Sequence, residues 1–338
     1  GSFPVLGALL SGLNNTELGW AKTHNTSLSV DFGFWKNRVN VSFNYYDNIT
    51  KELLTNYDLA PSTGFATMVM NAGELQNKGF DASLNVIAVQ DLRRQFFWTI
   101  NANANCNRNK IRKLSDYLKK VNEEQMKSAA APLPQYREGE STTTLYVVRS
   151  LGVDPVTGKE VYLKRDGTKT FVWSANDKVP VGDANPISGT VSTNINWKDF
   201  SCSLGFTYKY GGVVYNQTLV DKIENQNVAY NLDRRAGQGR WEKPGDVKPY
   251  VGFSPTGANT PASTRVIMDD NEIRFATMNV GYRLTGENFK FLRKANIDVL
   301  ALNFTTNDIA RISPIRMERG LDYPFARSYT FSLSFMFR

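Results

Sequence analysis

The chain has 338 residues, 41% hydrophobic and 12% aromatic, with a formal net charge of +8 and a mean hydropathy of −0.38. It is long enough for one large domain or two ordinary ones, and no apolar run approaches the ~20 residues of a membrane-spanning helix. Lys and Arg are scattered without a dense basic run, so no nucleic acid is expected as a partner.

The opening GSFPVLGALLSGLNN has no basic start, long apolar stretch or small-residue cleavage site, so it does not read as a signal peptide. That leaves either a cytosolic protein or one whose N-terminal part lies outside this chain. Beyond it the chain alternates regularly. Residues 27–34 place Leu28, Val30, Phe32 and Phe34 on one face and Ser27, Ser29, Asp31 and Gly33 on the other, as in a strand with one greasy and one small polar side. Residues 38–49 set Val39, Val41, Phe43 and Tyr45 against Asn40, Ser42 and Asn44; 77–88 set Phe80, Ala82, Leu84 and Val86 against Asp81, Ser83 and Asn85. In 95–106, Phe96, Trp98, Ile100, Ala102, Ala104 and Cys106 oppose Thr99, Asn101, Asn103 and Asn105.

The segment GVDPVTGKEVYLKRDGTKTF reads as a β-hairpin turning at Asp166-Gly167, because that dipeptide suits a tight turn. Alternation resumes at 187–197 and 199–210. Residues 271–284 and 295–305 change phase midway, which a bulge would cause. The last element, 327–338, sets Tyr329, Phe331, Leu333, Phe335 and Phe337 against Ser328, Thr330, Ser332 and Ser334. These are about nine strands of roughly ten residues, the length that crosses a bilayer when tilted.

The connections alternate in length. WKNR, VQDLRRQ, KD and TGENFKFLRK join the strands pairwise, whereas the intervening connections are long and hold most of the Gly, Pro and charge. In an up-and-down antiparallel sheet all short turns then lie at one edge and all long loops at the other, as in outer-membrane barrels. A soluble all-β sandwich or carbohydrate-binding module is the alternative. It would bury the aromatic stripes in a core, usually with shorter strands. Nine strands ending on the periplasmic side would begin on the outside, whereas single-chain bacterial barrels usually have an even count. The chain is therefore expected to be the C-terminal part of something larger.

Chemistry-bearing constellations are few. Cys106 and Cys202 lie far apart and His24 is the one histidine, so no zinc site, disulfide framework or ordinary catalytic triad is expected. Neither a phosphate-binding glycine loop nor a dinucleotide fingerprint occurs. Asp269-Asp270 reads as loop-end charge rather than a glycosidase pair. Sequons at Asn14, Asn25, Asn48, Asn216 and Asn303 are those an Asn- and Thr-rich β chain produces by chance.

Several segments taken in order resemble one family. They are LNNTELGWAKT, VDFGFWKNRVNVSFNYYDNITKELL, NAGELQNKGFDASLNV, NANANCNRNKI, YKYGGVVYN, RWEKPGD, NEIRFATMNVGYRL and YPFARSYTFSLSFMF. Over essentially the whole chain they resemble the SusC/RagA-type TonB-dependent outer-membrane transporters of Bacteroidetes. Two departures are ANIDVLALNFTTND, where the family usually has a Gly-Gln-Asn-Leu run, and Arg338 after the customary terminal Phe, here Phe337. The resemblance implies an all-β fold, an antiparallel transmembrane β-barrel. Residues 1–338 would be the C-terminal part of a 22-stranded wall, without the N-terminal plug and TonB box.

By resemblance the protein is no enzyme and takes no cofactor. It would import an oligosaccharide or peptide across the outer membrane with a SusD-like surface lipoprotein. Energy would come from TonB-ExbB-ExbD through the N-terminal part, and a dimer of transporter–lipoprotein pairs is compatible with this. The terminal stripe Tyr329, Phe331, Leu333, Phe335 and Phe337 would be the signal for membrane assembly. Substrate contact is expected from flat or basic residues of the long loops, namely Trp173, Tyr215, Arg240, Trp241 and Tyr250. RWEKPGD resembles a family-wide signature, so Arg240, Trp241 and Asp246 are weighed more as a loop anchor than as a selector. Trp20, Trp35, Tyr45, Tyr46, Trp197, Tyr208, Tyr210, Tyr282 and Tyr323 are expected in interface belts.

Overall fold

A computed structural model describes residues 15–58, 65–127, 132, 135–183, 186–226, 233–253, 260–316 and 326–337. Nine antiparallel strands form one sheet in chain order, each paired with its sequence neighbours. They are β1 (Lys22–Phe34), β2 (Val39–Lys51), β3 (Gly73–Asp91), β4 (Phe96–Leu114) and β5 (Ile187–Trp197). To these are added β6 (Phe200–Tyr210), β7 (Glu272–Thr285), β8 (Ile297–Ile312) and β9 (Tyr329–Phe337). The expected bounds coincide at β5. Elsewhere the difference is largest at the long-loop edge, where backbone pairing outlasts the apolar alternation. Lys22–Thr26, for instance, pair with Asp47–Lys51 although they carry no greasy face. β3 and β4 likewise remain paired out to Gly73 and Leu114.

Register aligns the apolar residues into continuous rows. One runs Phe32, Val41, Leu84, Ala102, Val191, Phe206, Phe275 and Ala310 across β1 to β8. The phase changes read in the sequence fall at register shifts. One lies between Phe275 and Thr277 in β7, the other between Ile297 and Val299 in β8. Each extra residue returns the following side chains to the common face, so Met278, Val280 and Tyr282 join the row system that Ile273 and Phe275 began. Beyond its bulge β8 pairs Leu302 with Leu333 and Phe304 with Phe331 of β9.

The greasy face is not a core. Leu28 is 64% exposed, Phe331 78% and Phe337 67%, which contradicts the aromatic-core alternative and fits a wall facing lipid. Two polar side chains of this face bond within the sheet. The Trp98 indole donates to Thr193 Oγ1 at 2.7 Å, and the Tyr208 hydroxyl reaches over Gly189 to the Asn103 carbonyl at 2.9 Å. Gly189 is required there, since a Cβ would lie 2.0 Å from that same carbonyl oxygen.

The opposite face carries a ladder of amides and hydroxyls. Ser29 donates to Asn44 at 2.8 Å, Asn103 to Thr190 at 2.6 Å and Ser203 to Asn194 at 2.7 Å. Tyr46 belongs to this side, opposite Gly79, so it is not an interface-belt residue: adjacent Tyr45 and Tyr46 must point to opposite faces. Tyr323 and Arg338 lie outside the described residues. Cys106 and Cys202 occupy apolar rows opposite Phe80 and Val280 as free thiols.

The short turns, residues 35–38, 92–95, 198–199 and 286–296, all lie at one edge. They reverse through left-handed residues that are not glycine, including Asn37, Gln95, Lys198 and Asn296. At the other edge the long connections build structure of their own. The first is a hairpin of Leu54–Asp58 with Thr67–Asn71. Beyond it is a four-stranded sheet ordered Lys178–Gly182, Leu145–Val153, Glu160–Leu163 and Lys169–Thr170. Asp166-Gly167 forms the expected turn in that sheet: Gly167 has φ +86 and the Asp166 carboxylate accepts from Thr168 N at 2.8 Å.

The two faces make distinct predictions. Val191→Arg, at mid-height of the greasy face, is expected to cost about 2–4 kcal/mol, the penalty for a lipid-facing cation at mid-depth. Ser192→Arg, on the polar face, is expected to cost far less. The folded fraction retained as a heat-modifiable band on gels reads the difference, and equal losses would refute the assignment of faces.

Candidate functional site

The five loop residues singled out from the sequence all lie in the assembly above the long-loop edge, held together by a buried ionic cluster. Arg265 sits in a one-turn helix, Thr264–Val266, whose N-cap is Ser263. Its guanidinium bonds Glu160 at 2.9 Å, Glu224, and the Pro249 carbonyl at 2.9 Å. The side chains of Glu160 and Glu224 are 3% and 0% exposed. Burial works against the Arg265 charge, yet hydrogen bonds to Glu224 and Glu160 hold its pKa above the ordinary arginine value. Ser263 donates to Glu160, and Thr260 to Glu224 at 3.2 Å. One cation thus ties three separate stretches of two long connections.

Arg240 lies beside this cluster and is itself buried. It donates to the carbonyls of Ala236 at 2.7 Å, Glu224 at 2.6 Å, Val251 at 3.3 Å and Ile223. Burial pulls its pKa below the usual arginine value. Its guanidinium is spent on backbone. Tyr250 bridges to Arg240 and packs on Gly239, and burial raises its phenol pKa. Trp173 donates its indole N–H to the Ala262 carbonyl at 3.0 Å. Tyr215 pairs with Ile267, and burial pushes its hydroxyl pKa up to about 12.

Trp241 is placed differently. Its indole N–H donates to the Pro155 carbonyl at 2.8 Å, and the same oxygen accepts from Gly245 N at 2.8 Å. Asp246 closes the turn by accepting from Glu242 N at 3.2 Å and Lys243 N at 3.1 Å. The Lys243 amide, foremost, holds the Asp246 carboxyl below its ordinary pKa. RWEKPGD is therefore a turn docked on the DPVTG turn. Gly158 is required beneath the indole, because it has φ +69 and a Cβ would lie 2.3 Å from the ring.

Trp241 also lines an open hollow of about 470 Å³ with Lys159, Glu160, Tyr162, Phe171 and Phe253. Phe171 and Phe253 are 51% and 49% exposed. Sequence reasoning chose Trp173 and Tyr250 and missed their near neighbours Phe171 and Phe253. Alternation could have flagged neither, since the strands here are too short to show a period. Among the described residues no cluster of His, Cys, Asp or Glu could hold a metal ion.

Aromatic faces beside Lys159 and Glu160 make this hollow suited to stacking on flat or apolar groups. Removing the central cation is expected to loosen the loops and spare the wall. Arg265→Met strands two buried carboxylates, costing about 3–5 kcal/mol. Limited proteolysis should cut the long connections faster while the heat-modifiable band persists.

Comparison with known proteins agrees with this architecture. A family model described as TonB dependent receptor-like, beta-barrel, matches residues 2–134. The chain is 26% identical to TonB-dependent receptor P3 of Formosa agariphila, with all of this chain and 36% of that protein covered. It is 27% identical to TonB-dependent receptor SusC of Bacteroides thetaiotaomicron over 62% of this chain and 21% of that protein. The structure of the RagAB peptide transporter superposes with a TM-score of 0.69 at 21% identity, over 89% of this chain and 33% of that one. The chain spans about a third of the length of the first curated relatives it matches. Strand order, turn asymmetry, exposed apolar rows and these matches converge on one likeness: residues 2–134 match the TonB-dependent receptor-like β-barrel model, and the whole chain is similar to part of such receptors.

Proposed function

We propose that this chain is the C-terminal part of the wall, with outer loops, of an outer-membrane importer. It would take up an oligosaccharide or peptide together with a SusD-like lipoprotein, driven by TonB-ExbB-ExbD through parts of the protein outside this chain. The match of residues 2–134 to a TonB-dependent receptor-like β-barrel supports an outer-membrane place. The observation that carries the import reading is the aromatic hollow at the long-loop edge, where Tyr162, Phe171, Trp241 and Phe253 line one surface. Such faces suit sugar rings and peptide side chains alike. Import also accords with the polar ladder on the inner face, which lets hydrated solutes pass without a greasy barrier.

Trp241 is the member of the five sequence candidates best placed to touch a ligand. Trp173, Tyr215, Arg240 and Tyr250 are proposed to act by holding the loops in shape. Tyr329, Phe331, Leu333, Phe335 and Phe337, exposed along the outer face of β9, are proposed as the assembly signal.

The intact protein, purified from detergent-extracted outer membranes, is expected to bring a surface lipoprotein with it. With a ligand identified from that preparation, Phe171→Ala combined with Phe253→Ala should weaken binding about tenfold or more, as for aromatic anchors at an interface. The lipoprotein should stay attached. Undiminished binding would remove the hollow from the ligand path.

A further inference from the structure

The greasy face ends abruptly toward the long loops, and the surface above it is basic. Its uppermost apolar row runs Leu28, Tyr45, Phe80 and Cys106, continued by Ile187 opposite Tyr210 on the neighbouring strands. Tyrosines at such a border belong at headgroup level. One step further on the same face, Lys78 pairs with Arg108, and one step beyond that Gln76 pairs with Lys110. These residues line an open groove of about 650 Å³ with Tyr45, Phe80 and Ile187 at its foot.

Two carboxylates bear on this groove. Asp47 accepts from Gln76 at 2.7 Å and pairs with Lys78 at 3.1 Å, and Asp183 lines the groove from the β4–β5 connection. Arg108 and Lys110 are exposed and pair with no carboxylate among the described residues. Below the intervening Phe80–Cys106 row, Ala82 pairs with Ala104 and Ala102 follows opposite Leu84, so short side chains make a shallow trough beneath the cations.

We propose that this groove binds an outer-leaflet lipid through a phosphate-bearing headgroup, with Lys78, Arg108 and Lys110 on the phosphate and an acyl chain along Ala82, Ala102 and Ala104. The site presupposes the membrane placement proposed above. Charge complementarity selects the occupant: three cations against the carboxylates of Asp47 and Asp183 leave a positive balance at headgroup depth over a greasy trough, so the ligand is anionic at one end and apolar at the other. A free phosphate ion would use the cations and ignore the trough. A sugar or peptide on its way inward would pass along the opposite face.

The test uses the full-length protein, delipidated in detergent and examined by native mass spectrometry. The probes are phosphatidylglycerol and phosphatidylcholine of matched chains, each added with and without millimolar inorganic phosphate. The wild-type protein should retain phosphatidylglycerol at least about tenfold better than phosphatidylcholine, the order expected for several near-surface cations. K78Q/R108Q/K110Q should abolish that preference and R108Q alone should weaken it, while K164Q/K169Q in the loop hairpin leaves it intact. Equal retention of both lipids, or an unchanged preference in the triple variant, would overturn the site. Full displacement by inorganic phosphate would make it a free-anion site and overturn the lipid. The heat-modifiable band of the same samples separates the two failures. Its presence without lipid preference refutes only this site, and its absence in the wild type refutes the membrane placement as well.

Discussion

A sheet that crosses lipid must satisfy its backbone N–H and C=O groups from strand to strand, since the surrounding hydrocarbon offers no partner. Register is therefore the constraint on which everything else here depends. A one-residue slip would turn every greasy side chain of a strand inward and every Asn and Ser outward. The row from Phe32 to Ala310 shows the register kept over eight consecutive strands. Where the sequence changes phase, at Phe275–Thr277 and Ile297–Val299, a bulge absorbs the extra residue. The bulges preserve the faces rather than interrupt them.

The same sheet supports two surfaces of opposite chemistry and carries an independent body at one edge. The inner ladder joins Asn, Ser and Thr across strands, a face that presents hydrogen-bonding groups to water with the carboxylates of Asp31 and Asp81 among them. Above it, the long connections fold around Arg265, Glu160 and Glu224. A buried ion triad is a weak source of net stability, because desolvation offsets much of the attraction. What it does supply is a single arrangement: neither carboxylate can leave the guanidinium without being stranded. That arrangement holds the aromatic hollow in place between turns that have little regular structure.

Much of the wall was legible in the sequence because side-chain alternation and turn length are local properties. The nine strands, the hairpin at Asp166-Gly167 and the bulges are all set by neighbours within a few residues. Strand ends were less legible. β1 begins at Lys22 rather than 27, because pairing with β2 continues through residues that carry no apolar signal. The loop site was legible only in part. Arg240 and Trp241 stood out by residue type, but their partners, the carbonyls of Glu224, Ala236 and Pro155, are backbone groups that no residue pattern announces. Phe171 and Phe253 resemble any other loop aromatics until the fold brings them beside Trp241.

The order of residues alone was enough to establish a two-faced antiparallel wall with short turns at one edge and long loops at the other, since each of those features is written in spacing along the chain. Contacts between distant stretches were decided only in three dimensions. Arg265 meets Glu160 across more than a hundred residues, and Lys78 lies opposite Arg108 solely because β3 and β4 pair in that register. The physical reason is that periodicity reports which side of a strand a residue occupies, whereas a site is made by what the neighbouring strand or loop sets against it.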